Sequence, residues 1–303
     1  MCCVARRSTA PKSSAARSCP EWNCRPSGRQ LAGSRHYRSV VFTPGTVMLQ
    51  PAGDMREFAK GLAAEVDIHE NAPVTALVRT GSDWRVQTRQ GAVTTSRVIL
   101  ATNGHLESFG LAKGRLMQLF LYASMTPELD DDMQARLGGA VRWGITPSNP
   151  MGTTVRRIDT PQGGNRIITR TFATLRSGMQ ASATDLARAI RIQREKFDQR
   201  FPQLAGMTPE YQWAGHLCLS LNGVSVMQEP KPGLFSACVQ NGLGKTRGTL
   251  TGMGAAELAC AEESDITRHF TAAAPPTRLP PKPIRDIGGN IVIRWKERMA
   301  SEE

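Results

Sequence analysis

Residues 234–239 read Leu-Phe-Ser-Ala-Cys-Val, apolar or small without a break, and run straight into Gln240-Asn241-Gly242-Leu243-Gly244-Lys245-Thr246-Arg247-Gly248. A run of this kind is a strand buried on both faces, and such strands belong to sheets covered by helices. Glycines directly behind it let the chain turn sharply, so that a helix can open where the strand ends. Strand, glycine turn and helix in immediate succession commit this part of the chain to an α/β layer. Gly242 and Gly244 leave the backbone bare to a ligand, and the amides of the helix start favour an anion or an electron-rich carbonyl. The spacing G-x-G-x-x-x-G is one residue longer than the dinucleotide fingerprint, and no acid ends a second strand about twenty residues on. Two readings stand side by side. Either the turn faces a ligand, or its glycines serve tight packing, with Gly248, Gly252 and Gly254 on the packed side of the helix.

A second exit of the same type follows residues 98–101, Val-Ile-Leu-Ala, in the turn Thr102-Asn103-Gly104-His105. This run too predicts a strand buried on both faces, and open α/β sheets gather ligands beyond the carboxyl ends of such strands. His105 reads as a loop residue or as a base. Around the two exits, strands are predicted at 46–49, 66–69, 74–79, 84–89 and 97–101. Pro51 opens a helix whose Met55, Phe58 and Leu62 share one face. Longer strands follow at 116–124, 153–158 and 165–171, with an acidic helix near 127–137 and a hairpin turn at Gly163-Gly164. An amphipathic helix over 184–200, strands at 211–221 and 234–239 and a helix to about Cys260 complete the pattern. The tail carries Pro275, Pro276, Pro280, Pro281 and Pro283 and is predicted to lie extended over the surface.

The 303 residues are 40% hydrophobic and 21% charged, enough for a real core, and carry a net charge of +12. Much of that excess sits early, where Arg6, Arg7, Lys12, Arg17, Arg25, Arg29, Arg35 and Arg38 face only Glu21. With no apolar periodicity, residues 1–39 read as a disordered basic leader. No helix-turn-helix, zinc finger or base-stacking motif accompanies the charge, so specific nucleic-acid binding is not expected. The cysteines divide into Cys2, Cys3, Cys19 and Cys24, then Cys218, Cys238 and Cys260. Their odd number and irregular spacing point to a reducing, cytoplasmic setting and to no metal site. The most apolar stretch, 116–123, is too short to span a membrane and is interrupted by Gln118.

Several segments together resemble a known family. They are Thr43-Pro-Gly-Thr-Val-Met-Leu49, Glu70-Asn-Ala-Pro-Val74, Val98-Ile-Leu-Ala-Thr-Asn-Gly-His105 and Arg142-Trp-Gly-Ile-Thr-Pro147. Asn149-Pro-Met-Gly152, Gln240-Asn-Gly-Leu-Gly244 and Pro275-Pro-Thr-Arg-Leu-Pro-Pro-Lys-Pro283 continue the series. In order and spacing, from about Arg35 onward, they resemble the D-amino-acid-oxidase-like group of FAD-dependent oxidoreductases, and within it the gamma-glutamylputrescine oxidases. The resemblance implies that Val74 holds the adenine end of FAD through its backbone. It places Ala101, Thr102, Asn103 and Gly104 near the cofactor, and Gly242, Leu243, Gly244 and Lys245 against the flavin ring. Trp143, Arg156 and Arg170 would face the substrate, or else form a solvated strand face.

In such enzymes the flavin carries the hydride chemistry and the protein positions an uncharged amine or amino acid, with oxygen or another acceptor reoxidising the flavin. No dedicated acid or base is implied, and no catalytic residue is assigned. The family's opening strand, G-x-G-x-x-G turn and helix have no counterpart in residues 1–40. The expected architecture is thus α/β (α+β): an FAD-binding Rossmann-like domain missing its first βαβ unit, with an inserted antiparallel-sheet substrate domain. Its divisions are a leader (1–39), a first FAD-binding part (40–114), the substrate domain (115–205), a second FAD-binding part (206–272) and the proline-rich tail (273–303). A catalytically inactive truncated remnant is the alternative function.

Overall fold

The structure, a computed structural model, describes residues 2–4, 28–37, 40–43 and 45–300. Its first elements are β1 (Cys2–Val4), α1 (Gly28–Ala32), β2 (Val41–Phe42) and α2 (Pro51–Leu62). Next come β3 (Ala76–Thr80), β4 (Asp83–Gln87), β5 (Ala92–Thr95), β6 (Val98–Leu100) and β7 (Leu116–Met125). The middle holds α3 (Asp131–Leu137), β8 (Trp143–Pro147), β9 (Thr154–Ile158), β10 (Arg166–Leu175) and α4 (Ala183–Arg200). The chain ends with β11 (Tyr211–Ser220), β12 (Val226–Lys231), β13 (Leu234–Cys238), α5 (Gly244–Ala259), α6 (Asp265–Thr271) and α7 (Lys282–Met299).

Helices α3 and α4 start where the sequence supplies a cap. Asp130 accepts from the Met133 amide at 2.7 Å, and Ser182 and Asp185 form a reciprocal capping box for α4. Three sheets result. The largest has the order β11-β7-β10-β9-β8-β1-β2, antiparallel from β11 through β8. Residues of β7 alternate buried and half-buried along most of its length, and one face of the sheet packs under α4. Val155 and Ile167 come from that face, Phe197 and Phe201 from α4 and its end, and Trp143 joins them in one core. A meander β3-β4-β5 forms the second sheet, and β12-β13-β6 the third, in which β6 and β13 run parallel. The mixed α/β architecture with a large antiparallel sheet is the one expected.

Several local expectations are corrected. Residues 46–49 and 66–69 are not strands; their β-formers Val47, Val66 and Ile68 are exposed, and β propensity without a pairing edge makes no sheet. The meander's third strand is β5, not 97–101. Thr95 Oγ1 binds the backbone of Arg97, bending the chain out of the meander so that β6 joins β13 instead. In β6 only Leu100 is buried and Ile99 is 41% exposed, because among the described residues no strand pairs with its other edge.

Strands β8 and β12 and helix α6 were not foreseen. The basic leader over 1–39 falls mostly outside the described residues. Its portion 28–37 is nevertheless built into the fold: Ala32, Ser34 and Tyr37 are buried, and Ser34 Oγ donates to the Arg200 carbonyl at 2.5 Å. The tail is extended only as far as Pro281. From Lys282 it forms the 18-residue α7, since Pro283 stands in the first turn where a missing amide costs nothing. Of the three glycines expected to pack α5, only Gly254 is closely abutted. A Cβ there would come within 2.6 Å of Met227 Sδ, whereas Gly252 faces open space.

Candidate functional site

Parallel pairing of β6 with β13 sends both strands out of the sheet at the same end. The two exit turns are therefore neighbours, and a hydrogen bond ties them: the Val239 amide donates to Asn103 Oδ1 at 3.2 Å. One residue earlier, the Cys238 thiol donates to the Leu100 carbonyl at 3.1 Å. Both turns are left-handed. Asn103 has φ of 47°, Val239 66°, Asn241 51° and Gly242 81°. Such a conformation costs a β-branched residue like Val239 about 1–3 kcal/mol. Asn241 is what holds it. Its Oδ1 accepts the Ser220 amide at 2.8 Å, and its Nδ2 donates to the carbonyls of Val224 and Val239 at 2.9 and 3.1 Å. The end of β11 thereby braces the glycine turn.

The Asn103 turn is fixed to the large sheet from its other side. Gln118 Nε2 donates to the Gly104 carbonyl at 3.1 Å, which turns Gln118 Oε1 toward His216 Nε2 at 2.9 Å. With Oε1 as the acceptor, His216 carries a proton on Nε2. Burial lowers its pKa, and nearby His105 lowers it further. A Cβ on Gly104 would come within 2.3 Å of Gln118 Oε1 and 2.6 Å of His216 Cε1. Only glycine fits there. Burial pushes the neighbouring Cys218 thiol up to about 12, so it is inert at neutral pH.

Beyond the glycine turn, α5 begins with no side-chain cap on its first amides. Lys245 in its first turn pairs with Asp54 of α2. Next to it lies a cleft of about 510 Å³ whose walls include Met48, Arg142, Gly144, Thr146, Arg156 and Lys245. It lies between the β8–β9 hairpin, the segment 42–51 and the start of α5. Gln162 Nε2 donates to the Met48 carbonyl at 2.8 Å and holds that segment in place. Arg142 is paired with Asp159 at 3.6 Å, while Arg156 makes no ion pair among the described residues.

The sequence-predicted residues distribute as follows. Asn103 and Gly104 meet the 239–244 turn, with Thr102 half-buried and Ala101 exposed at the strand end. Gly242, Leu243 and Gly244 are exposed, and no atom lies within 4 Å of a Cβ placed on Gly242 or Gly244. Lys245 and Arg156 line the cleft. Arg170 shares the sheet face of Arg156, because Arg170 pairs with Thr154 and Ile168 with Arg156, and its Nη2 donates to Thr154 Oγ1 at 2.6 Å. Trp143 pairs with Arg157, one residue out of phase, so its ring belongs to the opposite face. There it packs 6.2 Å from Phe201 in the core, and Trp143 is also among the residues that line the cleft. Val74 is exposed ahead of β3, apart from both turns and the cleft lining. His105 is an exposed loop residue.

Sequence reasoning missed Gln118, His216 and Asp54. A polar Gln inside an otherwise apolar run was the available signal for the first. The exposed backbone at Gly242–Gly244, beside the cleft, leaves room for a planar ring. Val74, the position expected to hold the adenine end of FAD, is exposed.

Comparison with known proteins bears on this geometry. The family described as DAO: FAD dependent oxidoreductase matches residues 14–258, starting upstream of Arg35, where the motif resemblance begins. No curated relative matches in sequence. Among solved structures, glycine oxidase from Geobacillus kaustophilus is similar with a TM-score of 0.61 and 17% identity over 76% of this chain and 59% of that one. L-amino acid deaminase from Proteus myxofaciens gives 0.56 and 14%, covering 79% and 63%. L-proline dehydrogenase from P. horikoshii gives 0.54 and 16%, covering 84% and 63%. The chain spans about six tenths of the length of these proteins.

Proposed function

The chain belongs to the FAD dependent oxidoreductase family, and from that premise we propose that it binds FAD and oxidises a primary or secondary amine or an amino acid in the cleft beside Lys245. The observation that carries this reading is the bond from the Val239 amide to Asn103 Oδ1, which joins the two strand exits into one ligand-facing wall. FAD, when bound, supplies the ring that accepts the hydride. The protein's part is positional. The open amides of Gly242 and Gly244 and the positive end of the α5 dipole favour negative charge on that ring. Asp54 orients Lys245 at the cleft edge, and the segment 42–51 narrows access to water. Arg156 offers a fixed cation to a substrate carboxylate, with Arg170 farther along the same sheet face. A charged terminus on the amine substrate, as in gamma-glutamylputrescine, suits that arrangement.

The test is reconstitution. Protein refolded or expressed with excess FAD should be yellow, and its flavin absorbance should bleach under anaerobic amine or amino acid. Colourless protein that no added FAD reconstitutes overturns the reading. That outcome would favour a catalytically inactive remnant, for which the outer edge of β6, unpaired among the described residues, is the specific supporting observation. Arg156→Gln should raise KM for carboxylate-bearing substrates on the order of tenfold while leaving uncharged amines unaffected, the loss of one charge-assisted bond.

A further inference from the structure

Helix α7 is amphipathic in the wrong sense for a helix that serves only folding. Its inward side is largely polar, with Ile293 buried against Ala173 and Leu175. Beyond Arg170 the strand β10 outruns its partner β9, and the carbonyls and amides so exposed are taken up by α7 side chains. Asn290 Oδ1 accepts the Leu175 amide at 3.0 Å and its Nδ2 donates to the Leu175 carbonyl at 3.1 Å. Glu297 accepts the Ala173 amide at 2.8 Å, and Arg294 donates to the Ala173 carbonyl at 2.5 Å. Asp286 pairs with Ser177. Gly289 lets the helix lie this close, since a Cβ there would come within 2.6 Å of Leu175 Cδ2. Side chains thus replace a missing strand, and both acids of the helix are turned inward.

The outward side is apolar. Ile284, Ile291, Trp295 and Met299 follow one another at spacings of a helical face, flanked by Ile287 and Val292. Ile284 and Ile287 are each 66% exposed and Trp295 60%. The exposed charges on this helix are Lys282, Lys296 and Arg298, all basic. Beside Trp295 opens a second cleft, about 500 Å³, whose walls carry Arg188, Lys196, Arg294 and Arg298 against one acid, Glu297, which is paired with Arg294. Arg188 and Arg294 lie over the Phe172 ring, 5.5 and 4.1 Å from its centroid. An apolar stripe some 22 Å long with a tryptophan near one end, flanked among the described residues by the exposed cations Lys282, Lys296 and Arg298 and adjoining a cleft with more cations than acids, suits one class of partner.

We propose that the outer face of α7 docks this protein in the plane of an anionic lipid surface, the aliphatic stripe entering the acyl boundary and the adjacent cleft receiving a lipid phosphate. Charge decides against the other occupants. A second copy would bring Lys282, Lys296 and Arg298 against their own equivalents. The early segment of this chain is itself basic, through Arg6, Arg7, Lys12, Arg17 and Arg25. Anionic headgroups complement what both of those repel. The docking is lateral, and among the described residues no helix is long and apolar enough to cross a membrane.

The full chain is sedimented with vesicles of phosphatidylcholine alone and of phosphatidylcholine mixed with phosphatidylglycerol. It should co-sediment with the mixed vesicles at low salt and stay in solution with the neutral ones. The double variant Ile287→Ser, Trp295→Ser should bind on the order of tenfold less, and Arg188→Gln with Lys196→Gln should bind less with a weaker salt dependence. All four positions are partly or fully exposed, and unchanged cooperative melts will show that the variants fold. Undiminished vesicle binding by the stripe variant would assign the attraction to basic residues elsewhere and overturn the proposal. A wild-type dimer that Trp295→Ser dissociates would overturn it in favour of self-association. Inorganic phosphate that protects the cleft without any vesicle binding would also overturn it, leaving an anion site and no docking face. None of these readings depends on flavin content.

Discussion

The large, mainly antiparallel sheet and the small mixed sheet that holds β6 and β13 spend their apolar residues differently. Over the large sheet, the 18-residue α4 seats Ala189 and Phe197 in a closed core, with Trp143, Val155 and Ile167 rising to meet them. Beside the small sheet, the 12-residue α2 carries an equally regular stripe, Met55, Phe58 and Leu62, and buries none of its residues. Ile99 in β6 is likewise exposed. Periodicity reports that a helix or strand has an apolar face. It does not report whether anything covers that face. In the large sheet the pattern became core, and around the two strand exits it became surface.

The sharpest way to test this contrast is to remove one aromatic from the closed side. Phe201 is fully buried between Phe197 and Trp143. Phe201→Ala should lower unfolding free energy by about 3–5 kcal/mol through lost burial and the cavity left behind. Denaturant titration measures it, and a loss below about 1 kcal/mol would mean the core is not as closed as described.

A smaller effect is expected where the two regions touch. Gly104 lies under Gln118 and His216, and the Cβ of any other residue intrudes on both. Gly104→Ala should cost about 1–3 kcal/mol by overpacking. It should also displace Asn103 from the Val239 amide, so flavin retention falls with stability. Retention unchanged at a destabilised melt would break the link between turn geometry and cofactor.

Much of this was legible in the sequence, for physical reasons that also mark the limit. Strand exits at Asn103 and Gly242 announce themselves because bare glycine after an apolar run is a local necessity. The capped helix from Ala183 to Arg200 is legible for the same reason: Ser182, Asp185 and an apolar stripe all lie within one segment. What stayed hidden depends on distant partners. Trp143 read as a substrate-facing residue because its burial is decided by register with Arg157 and by Phe201, neither visible along the chain. The polar inner side of α7 was unreadable because it answers backbone groups of β10 more than a hundred residues away. Val66 and Ile68 looked like a strand because propensity cannot say whether an edge is available.

An intermediate effect separates the regions by pH. Burial pushes the Asp185 carboxyl up, but the Arg176 guanidinium and the Ser182 cap outweigh it and hold the group below its usual value. A carboxyl lowered in the folded state contributes stability that is present at neutral pH and lost as pH falls below about 4. Asp185→Asn should therefore remove on the order of 1–2 kcal/mol at pH 7 and leave a variant whose stability changes less between pH 6 and pH 3 than the parent's. Parallel acid profiles for the two proteins would show that the bond to Arg176 contributes nothing.

The smallest effect belongs to the open side and is the most discriminating. Phe58 is 63% exposed on α2, in the middle of that helix's apolar stripe. If this face is surface in the isolated chain, Phe58→Ala should change stability by no more than about 0.5 kcal/mol, because little area leaves or enters water. The same substitution should leave FAD affinity unmoved, since Asp54 rather than Phe58 reaches the cleft through Lys245. A loss of 2 kcal/mol or more, the range of a buried Phe truncation, would mean that α2 is covered in solution. The contrast between the two sheets would then be one of visible partners and not of packing.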